Sequence, residues 1–330
     1  MTDYSYIFDA FGRSLKIFGN WDPCLKDLCL WYAMTPGKGS QEPALSLEIS
    51  GADIGEIEKL MPLPGSEYKI ESRIMEVNEN FDFTIYINGS RQWIDYAGAG
   101  RIMIDFSKGS AVSRMCGSAM LPTYQKYLFV DHPLDKLLTS RGIFPMHASC
   151  ASVRGKGIAF TGDSGAGKST AAFALMQKGM PIITDEKLYL FKNAGYSAVS
   201  ISDIIKVRHD ALSRFFVAKD ECHEYDVIAE EHYLKLGDTK KSLWQNRVPL
   251  KALCLLEQTG EPQTEITAIT PTKLVGGLFP VTITSVHPQY RAAKFDFIME
   301  MVENIECRLV KFGTDMADFT AKIEELAETI

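Results

Sequence analysis

Residues 162–169 read Gly162-Asp163-Ser164-Gly165-Ala166-Gly167-Lys168-Ser169, a full match to G-x-x-x-x-G-K-[ST]. No other stretch of the 330-residue chain constrains its fold as strongly. The glycines let the backbone curl so that successive N–H groups point inward, and a helix starting at the end of the turn adds partial positive charge. Such a phosphate cradle needs a strand before it and a helix after it. Gly157-Ile158-Ala159-Phe160-Thr161 supplies the strand pattern, and Thr170 to Lys178 is a run of helix formers closed by Gly179. Gly162, Asp163, Ser164, Gly165, Ala166, Gly167, Lys168, Ser169 and Thr170 are the candidate phosphate-binding residues. In that arrangement Lys168 reaches the terminal phosphates and Ser169 places its hydroxyl on Mg²⁺.

A phosphate cradle alone does not separate a kinase from a motor ATPase, a GTPase switch or a regulator, so the surrounding acids must decide. Met180-Pro181-Ile182-Ile183-Thr184 is a short apolar strand pattern that delivers Asp185 and Glu186 one helix after the cradle. It is expected beside the P-loop strand, with one carboxylate holding Mg²⁺ and its neighbour accepting the proton of an attacking hydroxyl. Upstream, Phe144-Pro145-Met146-His147 leads into a strand pattern from Ala148 to Val153, and Arg154-Gly155-Lys156 turns it back into 157–161. That hairpin brings His147 to one end of the P-loop strand. Further cations are expected around a transferred phosphate, with Arg208, Lys240 and Lys241 ahead of Arg247 and Arg291. Residues 219–243 are dense in charge and read as a solvated segment that could close over the site. His223 and His232 near Glu230 and Glu231 fit no standard zinc spacing, and Trp93 and Trp244 read as packing residues.

The first hundred or so residues have the two-residue period of half-buried strands. Phe81, Phe83, Ile85 and Ile87 share a face, Asn88-Gly89 follows as a hairpin turn, and 91–96 and 100–106 continue a meander. Residues 4–18 and 44–50 supply further strands, which makes 1–110 a mainly antiparallel β domain suited to packing or docking. Residues 111–142 read as a helical connector, with Leu134, Leu137 and Leu138 at helix spacing, and 143–330 as an α/β P-loop domain. A net charge of −7 gives no footprint for nucleic acid or an anionic membrane. The first residues lack a secretory pattern, and no apolar run approaches the roughly 20 residues that span a bilayer, so a cytoplasmic protein is expected. Seven scattered cysteines, with Cys24 and Cys29 the one close pair, imply neither a disulfide framework nor a metal site.

The order of these elements, His147-Ala148-Ser149, a hairpin, G-x-S-G-x-G-K-S, a helix ending Lys178-Gly179 and a strand closing on Asp185-Glu186, resembles the HPr kinase/phosphorylase family. That family shares a P-loop variant with PEP carboxykinases. The resemblance is close over 144–192 and weaker through Pro249 to Glu257 and the C-terminal helix and strand. The β-rich start, Tyr6-Ile7-Phe8-Asp9-Ala10-Phe11-Gly12, looks more like the stand-alone relatives, including kinases of lasso-peptide precursors, than like the regulatory domain of HPr kinase itself. The resemblance implies an α/β P-loop kinase core of the HPr kinase / PEP carboxykinase type behind an N-terminal mainly antiparallel β domain. It puts Lys168 on the phosphates, Ser169 on Mg²⁺, His147 beside the transferred phosphate, and Asp185 and Glu186 as the metal and base carboxylates, Asp185 being the favoured base. Glu186 stands where the family usually shows a second aspartate.

The expected function is an ATP- and Mg²⁺-dependent kinase acting on a hydroxyl, most simply a serine of a peptide or small protein such as a ribosomal precursor peptide. No copy of the family's downstream signature for the reverse, phosphate-driven reaction is evident, and the resemblance allows a homo-oligomer. A kinase of free serine or another small hydroxylated metabolite is the alternative within enzymology. A non-catalytic ATP-binding regulator is the other, suggested by Glu186. A GTPase is disfavoured because no N-K-x-D motif occurs.

Overall fold

The computed structural model describes residues 4–10, 13–20, 44–64, 68–75, 80–116, 127–208, 224–226, 231–282 and 287–330. The chain divides into two compact units, Met1–Arg141 and Gly142–Ile330. Both mix strands and helices, and the first is built on a mostly antiparallel sheet.

Among the described residues the first unit carries eight strands: β1 (Tyr4–Ala10), β2 (Arg13–Gly19), β3 (Leu45–Gly51), β4 (Tyr68–Met75), β5 (Asn80–Asn88), β6 (Arg91–Tyr96), β7 (Gly100–Asp105) and β8 (Ser110–Met115). They lie in the order β1-β2-β3-β8-β7-β6-β5-β4. The meander β4 to β8 is antiparallel throughout. Strand β3 enters parallel to both β2 and β8, which the alternation of apolar residues cannot reveal. Leu45, Leu47, Ile49, Ile85, Ile94, Ile102 and Ile104 turn inward, as the period of two requires. Helix α1 (Ile54–Leu60) starts with Asp53 accepting from the Glu56 N–H at 2.8 Å and buries Ile57.

The stretch expected to be a helical connector begins otherwise. Residues 110–115 form β8, paired between β3 and β7, because alternating Ala111, Ser113 and Met115 bury one face of the strand. Residues 117–126 lie outside the described residues, and among those described a π-helical turn at Tyr127–Asp131 leads into α2 (His132–Thr139), where Leu134, Leu137 and Leu138 are buried.

In the second unit β9 (Phe144–His147), β10 (Ser149–Val153) and β11 (Lys156–Thr161) are followed by helix α3 (Lys168–Gln177), β12 (Ile182–Thr184), β13 (Lys187–Lys192) and β14 (Tyr196–Val199). A small sheet of β15 (Ile204–Arg208), β16 (Glu224–Asp226) and β17 (Glu231–Lys235), in the order β15-β17-β16, leads into the short helix α4 (Leu236–Thr239). Next come the long strand β18 (Arg247–Gln258), β19 (Glu265–Ala268), α5 (Pro271–Thr282), α6 (Pro288–Asn304), β20 (Glu306–Phe312) and α7 (Met316–Thr329).

Strand β18 belongs to two neighbourhoods. Its first residues pair antiparallel with β14, and its later ones run parallel to β11 on one side and β20 on the other. Two other strand pairs also pass between these neighbourhoods. β10 pairs with β12 while β9, one residue upstream of β10, pairs with β13. Their interruptions, Ala148 and Asp185-Glu186, face each other, and the Ala148 N–H donates to the Glu186 carbonyl at 3.0 Å. Helix α3 buries Ala171, Phe173, Leu175 and Met176 in a core shared with Ile158, Phe160, Phe319 and Ile323. A second core groups Phe144, Met146, Leu188, Leu190, Leu253, Phe297 and Met301.

Candidate active site

The P-loop sits where the sequence puts it, between the end of β11 and the start of α3. The hairpin feeding it turns on Arg154 and Gly155, both with positive φ (55° and 75°), the conformation of a tight two-residue turn. The loop needs its glycines. Gly162, Gly165 and Gly167 have φ of 147°, 82° and 99°. A Cβ on Gly162 would meet the Leu256 carbonyl oxygen at 2.9 Å, and one on Gly167 would meet the Phe312 ring at 2.8 Å. Asp163, Ser164, Gly165 and Ser169 face solvent, while Ala166, Gly167 and Thr170 are half-buried. Lys168 is buried and folds its ammonium back onto the carbonyls of Gly162 (2.9 Å) and Asp163 (3.0 Å). Burial lowers its pKa, and the Asp163 carboxylate partly opposes that.

The second half of the site is the bend between β12 and β13. The Thr184 hydroxyl accepts from the N–H groups of Glu186 and Lys187, both at 3.3 Å, and this local turn breaks the strand at the two acids. Strand β12 does not lie beside the P-loop strand. The order is β12-β10-β11, because β10 is hydrogen-bonded on both edges and keeps the two apart. The acids therefore lie across one intervening strand from the P-loop.

Asp185 is buried and accepts the Lys206 backbone N–H on Oδ2 at 2.9 Å. Burial, with the neighbouring Glu186 charge, pushes its pKa up to about 7. Glu186 is half-buried. Loss of hydration alone would raise its pKa, but the Lys206 ammonium at 2.8 Å outweighs that and holds it down at about 2. Two adjacent carboxylates are thus driven apart, one ready to exchange a proton near neutrality and one fixed as an anion.

His147 ends β9 opposite Lys187, with one edge exposed. Loss of hydration on its other side lowers its pKa, as do the Lys168 and Lys206 charges, while Glu186 pulls the other way. The imidazole therefore feels the cation of the P-loop and the anion of the bend together. Ser149, two residues on, donates from Oγ to the Lys168 carbonyl at 2.8 Å and ties β10 to the first turn of α3.

The cation on the carboxylates is Lys206, two residues before Arg208, the cation the sequence favours. The Arg208 side chain lies outside the described residues. Arg247 donates to Ser197 Oγ at 3.3 Å and stacks over Phe191, packed on β13 and β14. Arg291 is exposed on α6, Lys241 is exposed and Lys240 half-buried. Of the charged segment 219–243, residues 219–223 and 227–230 lie outside the described residues, as do His223, Glu230, Cys24, Cys29 and Cys222. His232 is buried on β17. Trp244 is half-buried against the core and bridges to Ile182, and Trp93 is half-buried on β6.

Among the described residues no group of three or more His, Cys, Asp or Glu could hold a metal ion. Mg²⁺ does not need such a cage, since one or two carboxylates plus phosphate oxygens commonly suffice. Ser169, Asp185 and Glu186 offer only hard oxygen donors, and the donor set fits that ion. No helix among the described residues is long and apolar enough to cross a membrane.

No family model matches the chain. A 93-residue stretch, 27% of the chain, is 30% identical to HPr kinase/phosphorylase of Lacticaseibacillus casei, and the Lacticaseibacillus paracasei protein of the same name matches equally. The matched stretch is 28% of those proteins, so the chain spans less than a third of the curated relatives' length. Among solved structures, the Hpr(Ser) kinase/phosphatase from Coxiella burnetii covers 56% of this chain and 94% of its own, at 12% identity and a TM-score of 0.30. The sequence match makes the chain a distant relative of HPr kinase/phosphorylase.

Proposed function

We propose that the chain is an ATP- and Mg²⁺-dependent kinase that phosphorylates a hydroxyl, a serine of a peptide or small protein, on a core of the HPr kinase and PEP carboxykinase type. The observation that carries this reading is the state of Asp185. A buried carboxylate pushed up to about 7, beside an ionised Glu186 and one strand from a P-loop, is poised to take a proton from an attacking hydroxyl. The distant relationship to a protein named HPr kinase/phosphorylase supports the same chemistry.

In this reading the P-loop amides and Lys168 bind the triphosphate, and the Lys168 ammonium leaves the Gly162 and Asp163 carbonyls for phosphate oxygens. Ser169, Asp185 and Glu186 would hold Mg²⁺, whose charge offsets that of the phosphates. The acceptor oxygen forms its bond to the γ-phosphorus as the bond to ADP breaks, and Asp185 takes the hydroxyl proton. His147, kept neutral by its lowered pKa, donates a hydrogen bond to the transferred group.

The test is incubation of the protein with Mg²⁺ and γ-labelled ATP, offering a serine-containing precursor peptide and free serine in parallel, with product masses read directly. A phosphate gained by the peptide is the expected result. A phosphate gained by free serine alone moves the protein to metabolite kinases, and nucleotide binding without transfer to any acceptor overturns the assignment.

A further inference from the structure

Lys206 touches both carboxylates of the bend through different atoms. Its backbone N–H donates to Asp185 Oδ2 at 2.9 Å, while its ammonium donates to Glu186 Oε1 at 2.9 Å and lies 2.8 Å from Oε2. The two contacts are separable, because the path of β15 sets the first and the side chain alone makes the second. The side chains of Lys206 and Glu186 are 31% and 46% exposed, so the ion pair is open to solvent. A pair so placed is open to solvent on one side and can exchange its partner. It also occupies both oxygens of Glu186, the atoms a divalent cation would need.

We propose that Lys206 is an exchangeable counter-ion for Glu186, which holds that carboxylate while no metal is bound, yields it to the divalent cation, and then turns its ammonium to the transferred phosphoryl group. The last step rests on the kinase reading; the exchange at Glu186 does not. Electrostatics favours the exchange, since a divalent ion attracts a carboxylate twice as strongly as an ammonium at equal distance. The phosphate arriving with the metal offers the displaced lysine a new anion. The flexible four-carbon stem of lysine permits the move, and its point charge needs no fixed orientation. The charges of Lys206 and Lys168 both lower the pKa of one imidazole, that of His147. Lys206 is a positioning residue for Glu186 in the metal-free protein and touches the reacting group only after exchange.

The experiment is titration of the nucleotide-free protein with Mn²⁺, the free ion being read by electron paramagnetic resonance, for wild type, K206M, K206R, E186Q and the K206M/E186Q double variant. K206M keeps the backbone N–H to Asp185 and loses the competing charge. It is expected to bind Mn²⁺ about three- to tenfold more tightly than wild type, as removal of a partly exposed charge partner implies. K206R is expected to behave as wild type, and the gain is expected to vanish in the E186Q background. Phosphoryl transfer by K206M at saturating Mg²⁺ and ATP should fall at least about tenfold, as loss of one cation from the transferred phosphate implies. Tighter metal binding together with slower transfer is the signature, because a merely structural lysine would weaken both when removed. K206Q stands in should K206M not fold. Mn²⁺ binding by the neutral variant no tighter than wild type, or absent from both, overturns the exchange, and full transfer by K206M overturns the final step. If wild type transfers no phosphate to any acceptor while the Mn²⁺ series behaves as expected, the kinase reading fails and the exchange at Glu186 stands.

Discussion

The Ser149 hydroxyl donates to the Lys168 carbonyl at 2.8 Å, joining the strand that carries His147 to the first turn of the P-loop helix. Ser149 is fully buried, so no water can replace the bond if the hydroxyl is lost. Ser149→Ala should therefore cost about 1 kcal/mol. For a unit of this size that corresponds to a melting temperature lower by about 2–4 °C. Because the bond sets the distance from β10 to α3, the same variant should raise KM for ATP more than it lowers kcat, a split that steady-state kinetics would reveal.

The P-loop glycines should differ in what they tolerate. Gly165 has φ of 82° with nothing within 4 Å of a Cβ, so Gly165→Ala should cost about 1–2 kcal/mol from backbone strain alone. Gly167 has φ of 99° and a Cβ there would lie 2.8 Å from Phe312, so Gly167→Ala adds a collision to the strain. Urea unfolding of the two variants should give a clearly lower midpoint for Gly167→Ala. Equal midpoints would show that Phe312 moves aside freely.

Transfer should fall as pH drops, since Asp185 must be deprotonated to accept a proton, with a midpoint that bound Mg²⁺ draws below the value of about 7 set by burial in the metal-free site. One pH unit below that midpoint the rate should be about a tenth of the plateau. Stability should run the other way. From about pH 4 to about pH 7 the folded protein keeps a proton on Asp185 that the unfolded chain, with an ordinary value of 3.8, releases, so the fold weakens as pH rises through that window. Asp185→Asn removes the effect, and its melting temperature should change less over that range. Glu186 contributes with the opposite sign. Its pKa is held at about 2 against an ordinary 4.5, so the stability it adds is present above about pH 4.5 and is lost as pH falls towards 2.

Lys168→Ala and Asp185→Asn should each lower transfer about a hundredfold or more. Neither side chain is part of the apolar cores, so far-ultraviolet circular dichroism should match the parent. A variant with full activity and intact structure would remove that residue from the chemistry.

Local signals made much of the site legible in the sequence. The P-loop octapeptide needs only its own glycines and flanks, and the hairpin from His147 to Thr161 is fixed by its two-residue turn. Two features depend on contacts distant in the chain and left little trace. Strand β12 is separated from β11 by β10, since an apolar strand reads the same whichever edge it joins. Lys206 reaches the acids because β15, from a separate small sheet, is docked so that its amide meets Asp185, and no local pattern announces that docking. The start of β8 resembled a helix for a related reason: Ala111, Ser113 and Met115 are weak strand formers that pack only because β7 and β3 flank them.

The interruptions at Ala148 and at Asp185-Glu186 face each other where β9 to β10 and β12 to β13 pass from one strand neighbourhood to the next, while β18 runs on without a break. The acids thus occupy a seam, one strand away from the P-loop strand. One apolar core holds Phe319 and the other Phe297, so a packing change in either shifts the strands on which the seam is built. Reactivity at the seam is thereby adjustable by substitutions that never touch a nucleotide or an acceptor.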